Sequence, residues 1–443
     1  MQQPSVRAVD VGYGHVKWTD GFDGEAILAE AFPSQSVVSQ AAQHQSAVWQ
    51  QRDTFLIPIK DRLFEVGRDI RFAMSGNQET EVLDRDFALS DAYRARLFGA
   101  LNYMAPRLPD NNIDFLVLGL PLTTYPKHSR DLAAMYTGKL QIAPNRSVTV
   151  GKCLVVEQPV GSYLQYLNEK QIDAAAAPTA LVVDPGYNTV DWYVCEGFVA
   201  NTTISSAIER GMSACIRAIA KSLAKTLNGN VPESELVRAV DKALQSNQAS
   251  VRLFGNDVDL APHIDAGRHV LDEAAQAIRN LVGAGASIET IILTGGGATM
   301  YRDAIQDKFP HHPIHILHEP TLANVRGFHV FGESMAASAA RVARGNSMSD
   351  KAPLRMQVRI DLHEQPELFA LLAATPISHR AKVLRRLAAK GLALESGNVT
   401  NTVVATPETP APPASGVSNT APEAAAPRRP RTYPVEGFAR AQA

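Results

Sequence analysis

The sequence predicts an α/β protein that contains two related domains. Short apolar runs rich in β-branched residues alternate with helical stretches up to about residue 335 of the 443. This alternation is typical of sheets that are covered by helices. Two segments far apart in the chain also share one pattern of residues, which indicates that a structural unit is duplicated.

The predicted elements succeed one another along this part of the chain. The runs predicted as strands are Val6–Val11, Asp114–Leu118, Ser147–Val156, Ala180–Asp184, Ile291–Leu293 and Ile314–Leu317. The stretches predicted as helices are Asp86–Met104, Gly161–Glu169, Ser205–Leu227, Glu233–Gln245 and Asp265–Val282. We expect a first domain at residues 1–160 and a second at 161–345, followed by a basic segment at 352–395. The tail at 397–443 is rich in Pro and Ala and is predicted to be disordered, because it can bury little apolar surface.

The composition argues against several classes of protein. Acidic and basic residues nearly cancel, 45 against 43, so binding to nucleic acid or to a membrane would require a local patch. The three cysteines are far apart, which argues against a disulfide framework or a cysteine zinc site. No signal peptide is visible, and no apolar run approaches the roughly 20 residues that span a bilayer. We therefore expect a soluble, cytoplasmic protein without a membrane partner.

The duplicated pattern is Asp-x-Gly-Tyr-x-x-Val-x-Trp. It occurs at Asp10–Trp18 and again at Asp184–Trp192, each time directly after an apolar run that is predicted as a strand. Glycine permits a positive φ and a close approach of the backbone, so each segment predicts a strand, a tight turn and a second strand. The alternative is that the two hairpins are unrelated.

Two such hairpins that face each other can bind a polyphosphate from both sides through their backbone N–H groups. Asp10 and Asp184 can orient the water molecules around Mg²⁺, which prefers a largely hydrated oxygen shell. Lys17 lies at the spacing needed to reach a phosphate oxygen. The candidate nucleotide-binding residues of the hairpins are Asp10, Gly12, Tyr13, Gly14, Lys17, Asp184, Gly186, Tyr187, Asn188 and Thr189.

A third glycine motif, Thr294–Ala298, follows a predicted strand and precedes a helix-like stretch at Met300–Phe309. Gly295, Gly296 and Gly297 would let the backbone pass close to a flat ligand such as adenosine. Two other phosphate-binding motifs are excluded. The first hairpin lacks the third glycine of a dinucleotide-binding fingerprint, and the chain contains no P-loop sequence.

At these residues the sequence resembles the actin-like ATPases, which have duplicated ribonuclease H-like domains that close over a nucleotide cleft. More specifically, the sequence resembles the bacterial ParM/StbA plasmid-segregation type. The segments that carry it, in family order, are Asp10–Lys17 (phosphate 1), Glu157–Tyr163 (first connecting segment), Asp184–Asp191 (phosphate 2), Thr294–Ala298 (adenosine) and Glu319–Gly327 (second connecting segment).

The resemblance implies ATP and Mg²⁺ as cofactors, ATP hydrolysis, and polymerisation into filaments that segregate a plasmid or a similar replicon. Asp10 and Asp184 would act in catalysis as well as in metal binding. In the family, the first connecting segment supplies a Gln or Glu that positions the attacking water, which corresponds to Gln158 or to Glu157. The implied partners are other copies of the chain and plasmid DNA, bound directly or through an adaptor protein.

Three other functions remain open at this point. A small-molecule kinase of the same superfamily would need a set of substrate-binding residues in the cleft, and none is evident from the sequence. A nucleotide switch that does not polymerise would regulate a partner. A DNA-binding regulator would use its ATPase core only to sense nucleotide.

The basic segment predicts a strand at Leu354–Asp361 and helices at Gln365–Ala374 and Ser378–Leu392. This order resembles the ribbon-helix-helix domains, in which two chains pair their strands and insert the β-ribbon into the major groove. The resemblance implies that Arg355, Gln357 and Arg359 read bases and that Ser378 caps a helix near a phosphate. The alternative is an amphipathic edge strand with two packing helices.

Overall fold

The computed structural model describes residues 4–39, 51–74, 86–228, 230–346 and 366–373, together with residues 380 and 383. The elements that end before residue 344 belong to one compact unit, and the helix at Pro366–Ala373 belongs to a second. In the part of the chain that is described, no helix is both long enough and apolar enough to cross a membrane.

Strands and helices alternate through the first unit. Its strands are β1 (Val6–Val11), β2 (His15–Phe22), β3 (Ile27–Pro33), β4 (Val37–Val38), β5 (Thr54–Ile59), β6 (Arg62–Gly67), β7 (Asn112–Leu120), β8 (Gly138–Ala143), β9 (Arg146–Glu157), β10 (Thr179–Pro185), β11 (Val190–Glu196), β12 (Val199–Ala200), β13 (Ser206–Ile208), β14 (Ser250–Leu253), β15 (Asn256–Asp259), β16 (Thr290–Leu293) and β17 (Ile314–Ile316). The helices are α1 (Asp91–Met104), α2 (Tyr125–Met135), α3 (Gln158–Lys170), α4 (Met212–Thr226), α5 (Glu233–Gln245), α6 (Ala261–Val282), α7 (Ala298–Lys308) and α8 (Pro320–Asn346), and α9 (Pro366–Ala373) lies in the second unit.

Two sheets form the framework of the first unit, and they share one arrangement. The first has the strand order β3-β2-β1-β7-β9-β8, and the second has the order β12-β11-β10-β16-β17. In the first, β1 pairs antiparallel with β2 and parallel with β7. In the second, β10 pairs antiparallel with β11 and parallel with β16. The predicted α/β fold with two related sheet-containing domains is therefore confirmed.

The central strands are buried on both faces because their side chains alternate between two cores. In β10, Leu181 and Val183 join a core with the helices α4 to α7, whereas Val182 joins a core with α3 and α8. Residues of both sheets contribute to this last core. Helices α3 and α8 therefore lie between the two sheets and connect them.

Helices α3 and α8 approach each other at two glycines. A Cβ atom added to Gly327 would lie 1.7 Å from the carbonyl oxygen of Gly161, and one added to Gly161 would lie 2.5 Å from the carbonyl oxygen of Asn324. Glycine is required at both positions because the helices touch backbone to backbone. Each helix begins within or directly after a connecting segment, so this contact fixes the two segments relative to each other.

Between residues 4 and 346, the predicted strands and helices are present, but two helices begin later than predicted. The segment predicted as a helix from Ser205 first forms β13, which pairs with β11, and α4 begins only at Met212. Helix α1 begins at Asp91 because the hydroxyl of Ser90 accepts a hydrogen bond from the backbone N–H of Tyr93, 3.1 Å away. The hydrogen bond to Ser90 determines where α1 begins, and the pairing of β13 with β11 determines where α4 begins. Hydrophobic periodicity in the sequence indicates neither contact.

Most of the basic segment lies outside the described residues. Helix α9 corresponds to the predicted helix at Gln365–Ala374. The predicted strand with Arg355, Gln357 and Arg359, the residue Ser378 and the tail at 397–443 all lie outside the described part of the chain.

Candidate functional site

The turns of the two repeated hairpins face each other across a cleft between the sheets. A Cβ atom added to Gly14, in the first turn, would lie 3.0 Å from Cβ of Tyr187 in the second. The cleft has a volume of about 780 Å³. Ligand-binding pockets commonly enclose about 300–1,000 Å³, so a nucleotide-sized molecule can be accommodated.

The two turns are built in the same way. The N–H of Gly12 donates to the carbonyl oxygen of His15 at 3.1 Å, and the N–H of Gly186 donates to that of Thr189 at 2.8 Å. Asp10 pairs in register with Lys17 in the first hairpin, and Asp184 pairs with Asp191 in the second. The repeat therefore places one aspartate at the same position of each hairpin.

Asp10 is almost fully buried, with 1% of its surface exposed, and it binds two neighbours. The ammonium group of Lys17 lies 2.9 Å from its Oδ2 atom, and the amide Nε2 of Gln158 donates to its Oδ1 atom at 2.7 Å. Burial lowers the pKa of Lys17, but the carboxylates of Asp10 and Asp184 outweigh this effect and raise the pKa above its ordinary value. Lys17 is therefore held in its charged form within the cleft.

Asp184 is held by a network that comes from both connecting segments. The side-chain amide of Asn324, in α8, donates to Oδ2 of Asp184 at 2.6 Å. The hydroxyl oxygen of Ser162, in α3, lies 2.6 Å from Oδ1 of Asn324 and 2.6 Å from the hydroxyl oxygen of Thr294. Burial raises the pKa of Asp184, an effect that the charge of Lys17 and the hydrogen bond from Asn324 partly offset.

Asp191 places a further buried carboxyl group beside Asp10 and Asp184. It is 5% exposed, and the hydroxyl of Thr189 donates to its Oδ2 atom at 2.7 Å. Its Oδ1 atom has no hydrogen-bond partner among the described residues. Burial, followed by the charges of Asp184 and Asp10, raises the pKa of Asp191 to about 7.

Carboxyl groups outnumber cationic groups among the described residues that line the cleft. Burial and the charge of Lys17 lower the pKa of His15 to about 4, so this ring is neutral at pH 7. Among the described residues that line the cleft, Lys17 is then the only one with a positive charge, against several carboxyl groups. A cation bound beside these carboxyl groups would favour their charged forms.

The glycine motif lines the cleft directly beside the second hairpin, against Asp184 and Pro185. Gly295 has a φ of 73°, and its N–H donates to the carbonyl oxygen of Pro320 at 2.9 Å. Gly295 and Gly296 line the cleft together with apolar side chains of three helices, namely Met212, Ile216, Leu244 and Met300. Exposed glycine backbone together with apolar side chains suits a flat aromatic ring.

The structure brings most of the predicted site residues to this cleft. Those that line it are Asp10, Gly12, Tyr13, Gly14, Lys17, Gln158, Asp184, Gly186, Tyr187, Thr189, Gly295 and Gly296. Three predicted residues are not among the lining residues: Glu157, Asn188 and Gly297.

Each of these three residues has a structural role beside the cleft. Glu157 ends β9 in register with Leu120, and the carbonyl oxygen of Asn188 accepts a hydrogen bond from the N–H of Gly211 at 3.0 Å. Gly297 packs against Pro185, where an added Cβ atom would lie 2.8 Å from the proline Cβ.

Several polar residues of the site were not among the site residues predicted from the sequence. Asn324 binds Asp184 directly, and Asp191, Asp241 and Gln245 line the cleft. Asp191 could have been found, because it stands in the repeat where the first hairpin has Lys17. Asp241 and Gln245 come from α5, which carries no motif, so nothing in the sequence marks them.

These residues fit a nucleotide with a hydrated Mg²⁺ ion. Buried carboxylates are suited to accept hydrogen bonds from the water molecules of Mg²⁺, and Lys17 offers an ammonium group to a phosphate. The glycines of both turns leave room for the close approach of a phosphate group.

Comparison with known proteins agrees with this geometry. Residues 8–161 match the family model for the N-terminal domain of actin-like proteins, and residues 182–307 match the model for the C-terminal domain of the archaeal MreB-like actin homologue. No curated protein matches the chain.

Solved structures with a similar fold have low sequence identity to this chain. A non-polymerisable quadruple mutant of pCBH ParM is 17% identical, with a TM-score of 0.56, and the match covers 74% of this chain and 98% of that one. A ParM filament from Clostridium botulinum is 16% identical, with a TM-score of 0.57 and coverage of 75% and 99%. The archaeal actin homologue Ta0583 in complex with ADP is 20% identical, with a TM-score of 0.56 and coverage of 76% and 99%. The matched sheets, the facing hairpins and these similarities together show that this chain is a protein of the actin-like fold.

Proposed function

We propose that this chain is an ATP-dependent, polymerising actin-like protein that hydrolyses ATP to control the stability of its filament. Its biological role in this proposal is the segregation of a plasmid or a similar replicon. The observation that carries the proposal is the pair of equivalent hairpins that meet at Gly14 and Tyr187, with Asp10, Lys17 and Asp184 beside them. The ADP complex of Ta0583 is consistent with a nucleotide in such a cleft.

Different residues of the cleft would bind different parts of the nucleotide. Lys17 would neutralise phosphate charge, and the two turns would bind the phosphates through their backbone N–H groups. Asp10 and Asp184 would hold the hydrated Mg²⁺ ion, which supplies charge neutralisation on the phosphate oxygens. Gly295 and Gly296, together with the apolar side chains that line the cleft, would hold the base. A ligand bound in this way contacts both sheets at once and therefore favours their closed arrangement.

Gln158 is the residue best placed to orient the attacking water. Its Nε2 atom donates a hydrogen bond to Oδ1 of Asp10 at 2.7 Å, and this bond fixes the orientation of the amide. Its carbonyl oxygen is then the group that can accept a hydrogen bond from water. An amide cannot take up the proton, so Gln158 would act by positioning.

Self-assembly is inferred by analogy with proteins of the same fold. The solved ParM structure from Clostridium botulinum is a filament, and so is Alp12, which is 15% identical to this chain with a TM-score of 0.51. We propose that DNA is bound through the basic segment, by Arg355, Gln357, Arg359 and Ser378, or through an adaptor protein. These four residues lie outside the described part of the chain.

Replacement of Gln158 tests the proposed chemistry. For Gln158→Ala we expect ATP affinity to change by less than about threefold, while the steady-state rate of phosphate release falls by roughly a hundredfold, because removal of a single positioning or stabilising group commonly has an effect of this order. Fluorescent-nucleotide titration and phosphate release measure the two quantities. Filaments of this variant should also persist longer after ATP addition.

Glu157→Ala is the matched control, since Glu157 is adjacent in sequence but does not line the cleft. We expect it to release phosphate at the wild-type rate. Loss of turnover in Glu157→Ala with normal turnover in Gln158→Ala would contradict the assignment. ATP turnover without any assembly in the wild-type protein would instead favour the nucleotide switch.

A further inference from the structure

Two side chains from outside the second hairpin form a hydrogen-bonded chain that ends at Asp184. The amide nitrogen Nδ2 of Asn324, in α8, donates to Oδ2 of Asp184 at 2.6 Å. Behind it, the hydroxyl oxygen of Ser162, in α3, lies 2.6 Å from Oδ1 of Asn324. Ser162 is 0% exposed and Asn324 is 4% exposed. Water therefore has little access to these two side chains, and they depend on each other for their hydrogen bonds.

The direction of each hydrogen bond in this chain follows from the chemistry of its members. A carboxylate only accepts, so Asp184 requires the NH₂ end of the Asn324 amide. The carbonyl end of that amide also only accepts, so the single hydroxyl hydrogen of Ser162 is donated to it. Ser162 can in turn accept a hydrogen bond from the hydroxyl of Thr294, 2.6 Å away. Ser162 therefore determines which end of the amide faces Asp184.

Helix α3 also holds the aspartate of the first hairpin. Gln158, in its first turn, donates to Oδ1 of Asp10 at 2.7 Å. Ser162 follows four residues later, on the same face of the helix and about 6 Å further along its axis. One helix thus reaches both aspartates, Asp10 directly and Asp184 through Asn324.

The backbones of α3 and α8 are in contact beside this chain of hydrogen bonds. A Cβ atom added to Gly161, the neighbour of Ser162, would lie 2.5 Å from the carbonyl oxygen of Asn324. Tightly packed backbone therefore supports the hydrogen bond between the two helices. Ser162 itself is not among the residues that line the cleft, so its influence on a bound ligand must pass through Asn324 and Asp184.

We propose that Ser162 and Asn324 are positioning residues for the Mg²⁺ ion that accompanies the nucleotide. They act through Asp184, because they occupy its Oδ2 atom and leave Oδ1, which lies against Gly295, for a water molecule of the ion. This inference rests on the proposed function and names residues that adjust its metal site. Loss of an outer-shell residue commonly lowers metal affinity by about 10–100-fold.

The experiment is a Mg²⁺ titration of the full chain bound to a fluorescent ADP analogue, which measures metal binding without turnover. The proteins are the wild type, Asn324→Ala, Ser162→Ala and the double variant. We expect the half-saturating Mg²⁺ concentration to rise by about tenfold in Asn324→Ala and by about threefold in Ser162→Ala, which is one step further from the ion. The double variant should equal Asn324→Ala, because Ser162 acts only through Asn324.

Asn102→Ala and Ser334→Ala are the matched controls. Both side chains are 1% exposed, and neither residue lines the cleft. Asn102 donates to carbonyl oxygens in the core of the first sheet, and Ser334 donates to a carbonyl oxygen within α8. We expect both variants to keep the Mg²⁺ titration of the wild type even if they unfold at a lower temperature. The controls therefore separate a general loss of stability from a loss of positioning.

Unchanged half-saturating Mg²⁺ concentrations in Asn324→Ala and Ser162→Ala would overturn the inference. So would effects of the two changes that multiply in the double variant, since Ser162 would then act independently of Asn324. If Asn324→Ala does not fold, the comparison of Ser162→Ala with Ser334→Ala decides the question. If the wild type binds the ADP analogue equally well with and without Mg²⁺, the metal site of the proposed function itself fails, and the inference fails with it.

Discussion

Replacement of Gly295 by alanine is expected to destabilise the protein by about 3 kcal/mol and to abolish nucleotide binding. The added Cβ atom would lie 2.1 Å from Oδ1 of Asp184 and 2.9 Å from the carbonyl oxygen of Pro185. The φ of 73° adds a conformational cost that alanine cannot avoid. The buried carboxylate of Asp184 would have to move out of its hydrogen bond with Asn324. Urea denaturation of the nucleotide-free protein and titration with a fluorescent nucleotide measure the two effects.

Gly296→Ala is the matched control, because the two glycines are adjacent. The nearest atom to a Cβ at Gly296 is the hydroxyl oxygen of Thr321, 3.9 Å away, so the free protein should keep its stability. If the backbone of this motif contacts the base, the same methyl group should still weaken nucleotide binding. Equal stability losses in the two variants would contradict the account of the motif. Unchanged nucleotide affinity in both variants would show that the base does not contact this motif.

Replacement of Asp191 by asparagine is expected to stabilise the nucleotide-free protein at pH 8. The pKa of Asp191 is raised to about 7 in the folded protein, from an ordinary value of 3.8. The unfolded chain therefore releases this proton at lower pH than the folded one. The stability that the protonated form provides is complete below pH 4 and is lost as the pH rises to 7. A pKa shift of this size corresponds to a change of at most about 4 kcal/mol in the free energy of unfolding.

The measurement is the free energy of unfolding of the wild type and of Asp191→Asn between pH 4 and pH 8, without nucleotide or Mg²⁺. The difference between the two proteins should grow with pH and level off near pH 7.5. Asp303→Asn is the control, since the side chain of Asp303 is 87% exposed and its ion pair with Arg302 lies on the surface. A pH-independent difference for Asp191→Asn would show that its carboxyl group titrates normally.

The sequence alone was sufficient to predict the arrangement that positions the site. Asp10 and Asp184 each follow an apolar run and precede a glycine, and such local patterns determine a strand and a tight turn without help from the rest of the chain. The duplication then predicted that the two turns are equivalent. The fold class followed from the same alternation of strands and helices.

Contacts between distant segments could not be predicted in this way. The network of Ser162, Thr294 and Asn324 joins three separate elements around Asp184. Each of the three lies within a segment that carries the resemblance, but no local pattern shows that their side chains meet. The close approach of Gly161 and Gly327 is visible only once α3 and α8 are packed. Asn188 lies within the repeat but is not among the residues that line the cleft, and its carbonyl oxygen accepts a hydrogen bond from the N–H of Gly211, directly before α4. Tertiary contacts thus decide which residues of a motif face the cleft.

The central claim is that nucleotide in this cleft drives assembly, and light scattering with pelleting tests it most directly. Purified wild-type protein and Asp184→Asn would be compared with and without ATP and Mg²⁺. Asparagine can still accept the hydrogen bond from Asn324 but lacks the charge that favours Mg²⁺, so the variant should fold. We expect assembly only in the wild type, and only with both ATP and Mg²⁺. Assembly that is equal in the two proteins, or that does not require nucleotide, would contradict the claim.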